Sequence, residues 1–183
     1  MKGFSRQIVT VALIAAAALV GCTSSPTKSI DVTENVRKSL DQAGLKDVTV
    51  SQDREKGIVT LGGHVATEGD KTQAEMVVRP IAAGQVVALE IAVVPVGVEK
   101  EAKAINTDID KGIEKNLDAA LIAAKLKDLV KYEVKNSVVT LTGEVESQAR
   151  RAFAEKVAIT VPYVKQVVNT VQVKDQKATS TKY

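Results

Sequence analysis

A stretch of this chain occurs twice, 80 positions apart: Gly57-Ile58-Val59-Thr60-Leu61-Gly62-Gly63-His64-Val65 returns as Ser137-Val138-Val139-Thr140-Leu141-Thr142-Gly143-Glu144-Val145. The same offset carries Ala74-Glu75 onto Ala154-Glu155, Val77 onto Val157, Val87 onto Val167 and Val93 onto Val173. A register held without a gap over that span marks a duplicated unit, so whatever fold the chain adopts is built twice from one plan.

Periodicity gives the plan. Each copy opens on apolar residues spaced by three or four: Val32, Val36, Leu40 and Ala43 in the first, and Ile105, Ile109, Ile113, Leu117 and Leu121 in the second. That spacing predicts a helix. A hairpin follows, with first strands at 48–52 and 129–134 and turns at Asp53–Gly57 and Lys135-Asn136. Its second strand alternates Val59 and Leu61, or Val139 and Leu141, with threonines, and ends at Gly63 or Gly143. Thr67 and Ser147 are placed to cap another helix. The inward faces of these helices are predicted to be Ala74, Val77, Val78 and Ile81, and Ala154, Val157, Ala158 and Val161. Valine-rich strands at 85–94 and 165–173 close the units. The order is α-β-β-α-β, twice, an α+β chain.

The second copy, with Val-Val-Thr-Leu-x-Gly-x-Val, then Val161-Pro162-Tyr163-Val164, then Val167-Val168-Asn169, resembles the BON domain of bacterial periplasmic and outer-membrane proteins. The first copy departs from the pattern. Ala82-Ala83-Gly84 and Ala88-Leu89 replace the corresponding residues, and Pro80, which lacks an amide donor, should stop or kink its helix. The resemblance implies two tandem domains, each a small three-stranded sheet with two helices on one face. It also implies a non-catalytic role in envelope integrity or osmotic-stress protection, through binding phospholipid or protein.

The amino-terminal segment sets Lys2 and Arg6 before an apolar run from Ile8 to Val20. As a helix this run would rise about 20 Å, against a hydrocarbon core of roughly 30 Å, so it reads as a secretory signal and not as a permanent span. Leu19-Val20-Gly21-Cys22 then resembles the lipobox of bacterial lipoproteins. That resemblance implies cleavage between Gly21 and Cys22, a diacylglycerol thioether on Cys22 and acylation of the new amino terminus. The competing reading is an ordinary cleavage site beside a free thiol; Cys22 is the only cysteine, so no disulfide can form within the chain. Thr23 in place of aspartate after the cysteine implies anchoring at the inner leaflet of the outer membrane, facing the periplasm.

These signals divide the chain into a signal peptide (1–21), a lipidated tether (22–29), a divergent first domain (30–98), a linker (99–104) that either stands apart or runs on into the helix after it, a second domain (105–175) and a polar tail (176–183). Lys and Arg number 25 against 22 acids, with no strongly basic stripe and few aromatic residues, which argues against nucleic acid as a partner. Catalytic chemistry has no foothold. The single histidine, His64, is matched by Glu144 in the second copy, and no second histidine or second thiol is there to complete a zinc site or a nucleophile–base pair. Gly62-Gly63 does not open a helix as a phosphate loop would. Asp108 and Asp110 lie about 200° apart on a helix, too far round to share a site. No enzyme activity, cofactor or metal is expected.

The helix predicted from Ile105 to Lys125 carries one further signal. Ile122 falls opposite the centre of its apolar arc, Leu126 joins it one turn later, and Lys111, Lys115 and Lys125 flank them. Apolar tips among cations suit anionic phospholipid headgroups. The alternative is that the helix lies between the two domains, buried on both faces. A second class of partner, an envelope protein, is suggested by the strand at 86–94, apolar at nearly every position, which would accept an added strand if it formed an open edge. Replacing Cys22 with alanine tests the anchor: the wild type should fractionate with membranes carrying acyl mass, and Cys22→Ala should be released without it.

Overall fold

The computed structural model describes residues 28–174, so the predicted signal peptide, Gly21, Cys22, most of the tether and the tail fall outside the described residues. Two units repeat the order helix, strand, strand, helix, strand. The first comprises α1 (Thr33–Gln42), β1 (Val48–Asp53), β2 (Ile58–Val65), α2 (Glu68–Val78), β3 (Val86–Leu89) and β4 (Ala92–Val93). The second comprises α3 (Glu99–Ala123), β5 (Val130–Lys135), β6 (Val138–Val145), α4 (Gln148–Ile159), β7 (Gln166–Asn169) and β8 (Gln172–Val173).

In each sheet the hairpin pairs antiparallel, and the last strand runs parallel to the central one because a helix carries the chain across between them. Both last strands are split in two, β3 with β4 and β7 with β8, each half pairing with the same central strand. The break lies where the central strand bends at Gly63 and Gly143, with φ of 83° and 119°. A Cβ at either place would come within 2.1 Å of Asp47 O or 2.2 Å of Leu129 O, so only glycine allows this approach.

The helices cover one face of each sheet. Val36 and Leu40 of α1 and Ala74 and Val78 of α2 bury onto Val59 and Leu61; Ile113, Leu117 and Leu121 of α3 and Ala154 and Ala158 of α4 bury onto Val139 and Leu141. Thr67 caps α2 through a reciprocal pair with Asp70, and the Ser147 hydroxyl accepts the Arg150 amide at 3.2 Å. Pro80 ends α2 at Val78. Both cores close within residues 28–174, so a fragment starting at Thr23 contains the whole described fold.

Three local features differ from the sequence reading. In the second hairpin Lys135 still pairs with Val138, so the turn is Asn136-Ser137, one residue later than expected. Both turn residues have positive φ, 49° and 66°, as a two-residue hairpin requires. The Asp110 carboxylate accepts both turn amides at 2.8 Å, which holds this turn against α3. Residues 99–104 form the first turns of α3, where Glu99 and Glu101 favour the positive end of the helix dipole and no breaker intervenes.

The third feature concerns Leu126. α3 stops at Ala123 in a Schellman closure, in which Leu126 N–H donates to Leu121 O (2.9 Å) and Lys125 N–H to Ile122 O (3.0 Å). Lys125 takes the left-handed conformation, φ 56°, that Gly44 takes in the matching closure of α1. The reversal turns Leu126 inward, where it is 1 % exposed.

The opposite faces of the two sheets meet over a small core of Ile58, Ala88, Val138 and Val168. Ile58 corresponds to Val138 and Ala88 to Val168, so the same positions of both copies touch, the pattern of an isologous contact. Because Lys125 occupies a left-handed position that glycine adopts freely, Lys125→Gly should stabilise the protein by about 0.5–1 kcal/mol in urea unfolding.

Candidate membrane-binding face

The four side chains that dock α3, Ile109, Ile113, Leu117 and Leu121, fix the helix's rotation. With that side held on the sheet, Lys111, Lys115 and Ile122 project from the opposite side, and Ile122 is 58 % exposed. The alternative in which α3 is buried on both faces between the domains is thereby overturned. α3 meets the first domain through its amino-terminal part, beside β4, and Lys111, Lys115 and Ile122 on its outer side are exposed. Lys125 is exposed but sits past the helix end, and Leu126 belongs to the core instead of the surface cluster. The helical extrapolation failed there because the Schellman closure reverses the chain after Ala124.

The cationic stripe is longer than the sequence reading made it. Lys100 and Lys103 line a shallow surface depression with Ala104, Thr107, Asp108 and Lys111. They join the helix because residues 99–104 run on into α3 and do not stand apart as a linker. The signal is in the spacing, since Lys100, Lys111 and Lys115 recur at helical intervals. α3 carries six acids beside its four lysines, and of these Glu101 and Glu114 are exposed, so the lysines stand among carboxylates. Asp108 approaches Lys111 at 3.8 Å with both side chains exposed, a pair of small energetic consequence. Asp110 is engaged with the hairpin turn, and Asp118 bonds Lys127 and the Tyr132 hydroxyl.

His64 is exposed at the end of β2, opposite Ala92, in a cleft between the domains that Glu99, Lys103, Asn106 and Asn136 also line. The Gly97 amide donates to Glu99 at 2.8 Å and holds that carboxyl below its usual range. Among the described residues no group of histidine, cysteine and acidic side chains is arranged to hold a metal ion, and no helix is long and apolar enough to cross a membrane.

The strand at 86–94 does lie at a sheet edge, but it is not open along its length. Gln166 of the second domain accepts the Leu89 amide at 2.9 Å and donates to Val87 O at 2.6 Å, so its carboxamide takes the place of an added strand. Asn136 and Lys135 also cross between domains, donating to Glu90 O at 2.7 Å and pairing with the Glu90 carboxylate at 3.0 Å.

A family model for the BON domain matches residues 31–95 and again 109–175. Among solved structures, the chain is similar to CdsD, a structural protein of the type III secretion system of Chlamydia trachomatis. The identity is 14 %, over 79 % of this chain and 92 % of that one, with a TM-score of 0.35. A second structure, of the C-terminal domain of CdsD, is 13 % identical over 78 % of this chain and 67 % of that one, with a TM-score of 0.33. The chain has no significant match among curated proteins. Replacing Gln166 with alanine strands a half-buried amide and carbonyl on β3 and should cost about 1–3 kcal/mol in denaturant unfolding.

Proposed function

This chain belongs to the BON domain family, and we propose that it is a non-catalytic lipoprotein of the cell envelope that binds anionic phospholipid surfaces through the outer stripe of α3. In this reading acyl chains on Cys22 anchor it at the inner leaflet of the outer membrane, and lipid binding serves envelope integrity or osmotic-stress protection. The observation that carries it is the solvent-open set of Lys100, Lys111 and Lys115 with Ile122 exposed beside it.

The magnitudes suit a contact that needs an anchor. Each cation near an anionic bilayer contributes about 1 kcal/mol, and salt screens it. A few such contacts bind weakly from solution. A tether that confines the domain to the surface raises its effective concentration and makes the weak contact sufficient. Cys22 and Lys28 are separated by five residues, an extended reach of roughly 20 Å. The anchor thus keeps the first domain next to the headgroups, with the second docked against it.

Sedimentation of the fragment from Thr23 onward with phosphatidylglycerol vesicles tests the reading. Lys111→Glu combined with Ile122→Asp should weaken binding by about tenfold or more, since each substitution removes an attraction and adds a repulsion. A folded double variant that sediments as the wild type does would refute it. A protein partner is the second reading. Met76, Phe153 and Ile159, exposed on α2 and α4, are the apolar side chains it would use, and in-cell cross-linking from these positions separates it from lipid binding.

A further inference from the structure

The two copies meet through equivalent positions, yet only one of the two strand edges at their contact is closed. On β3 the outward-facing groups belong to Val87 and Leu89, and the Gln166 carboxamide bonds Val87 O and Leu89 N–H as one peptide unit of an added strand would. β7 stands in the same register on β6. Gln166 lies opposite Val138 as Val86 lies opposite Ile58, and Thr170 N–H donates inward to Leu141 O at 2.9 Å. Inward and outward groups alternate along a strand, so Val167 O and Asn169 N–H face outward. The residue in place to bond them is Val86, the counterpart of Gln166 in the first copy, and its side chain ends in methyl groups. β7 pairs with β6 alone, and among the described residues no side chain bonds Val167 O or Asn169 N–H.

Beside this edge lies a cleft of about 460 Å³ that continues the contact between the domains, since Ile58 and Val168 of the shared core also line it. Val86, 49 % exposed, and Val171 add to its apolar floor. Arg151 of α4 stands at the rim and donates to Asn169 O at 3.1 Å, which leaves further guanidinium N–H groups to offer. The acids and the other cation nearby are already engaged. Glu155 takes the Asn169 carboxamide at 3.1 Å, Glu55 pairs with Lys28 at 3.3 Å and Lys56 with Asp53 at 3.4 Å. The hairpin edges offer a contrast: β5 carries Lys131, Glu133 and Lys135 and β1 ends on Asp53, charges of the kind that blunt an edge, whereas Gln166–Asn169 of β7 has none.

We propose that the β7 edge docks an extended segment of a partner protein, which adds as a strand with a peptide unit on Val167 O and Asn169 N–H, apolar side chains toward Ile58 and Val86, and a carboxylate on Arg151. This goes beyond the lipid face of α3 and does not rest on it. The chemistry of the occupant follows from the closed side of the same contact. Gln166 shows that such an edge takes a donor and an acceptor held side by side, and main-chain amides supply that pair in a row. An acyl chain supplies neither. The apolar floor continues the core between the domains, so a strand laid there extends an interface that already exists. The acidic character follows from Arg151, whose planar fork of donors matches a carboxylate.

The closing residue can be transferred, and that supplies the test. Val86→Gln gives β7 the carboxamide that Gln166 gives β3, so the fragment from Thr23 onward should unfold at a higher urea concentration than wild type. The probe is a labelled, capped heptapeptide of alternating valine and threonine with a central aspartate, followed by fluorescence anisotropy and by the amide shifts of Val167 and Asn169. Val86→Gln should weaken its binding about tenfold or more, and exchanging the probe's aspartate for lysine should weaken wild-type binding about fivefold. A probe N-methylated at alternate residues cannot donate along the edge and should not bind, a result that needs no variant of the protein. Undiminished binding by folded Val86→Gln or of the N-methylated probe overturns the proposal. So does absence of binding at millimolar probe, because main-chain bonds are open to any extended sequence. Sedimentation velocity of the wild-type fragment alone tests the rival occupant: a dimer that Val86→Gln dissolves would assign the edge to a second copy and overturn the partner segment.

Discussion

The contact on which the rest depends is the seating of α3 on the second sheet, over β5 and beside α4. Ile113, Leu117, Leu121 and Leu126 bury onto Val130, Val139 and Leu141, and a helix held by side chains at that spacing has no freedom to rotate. The rotation decides which residues face water. Lys100, Lys111, Lys115 and Ile122 are outward because the other side of the helix is committed to the core. The helix's length matters as well, since the turns before Ile109 run beyond the body of the second domain and carry the first two lysines.

The duplicated unit uses the same seating without the same surface. In α1, Val36 and Leu40 occupy the positions of Leu117 and Leu121, and the chain leaves through the same closure at Gly44 and Leu45. Yet α1 has only ten residues, and its exposed positions carry Glu34 and Asp41 beside Arg37 and Lys38. Its outer face is balanced in charge. Duplication thus preserved the packing and left the solvent faces free to diverge, so the exposed lysines of α3, set among six acids, belong to one copy.

Between the copies, a small contact accomplishes a good deal. Each sheet has one face under helices, and the other faces meet only at Ile58, Ala88, Val138 and Val168. Around that patch Gln166 closes the edge of β3, where a strand would otherwise find unpaired groups. The equivalent position in the first copy is Val86, whose side chain has no carboxamide to offer, so the two sides of the contact are unequal. The strand whose apolar sequence invited a protein partner has its outward groups spent within the chain.

Most of the fold was legible in the residues. The repeat at 80 positions, the threefold and fourfold apolar spacing and the capping residues Thr67 and Ser147 specify two α-β-β-α-β units, because these signals act over a few neighbouring residues. Lys111, Lys115 and Ile122 were legible for the same reason, as members of one helical stripe. The turn at Asn136-Ser137, the left-handed Lys125 and the inward Leu126 were not, since each depends on where a helix or strand ends, and terminal residues obey the tertiary fit more than their own propensities. The cleft beside β7 joins Ile58 and Val86 of one copy to Arg151 and Val168 of the other. No periodicity encodes such a contact, and only the packing of one sheet against the other could leave one strand edge closed by Gln166 and its equivalent open.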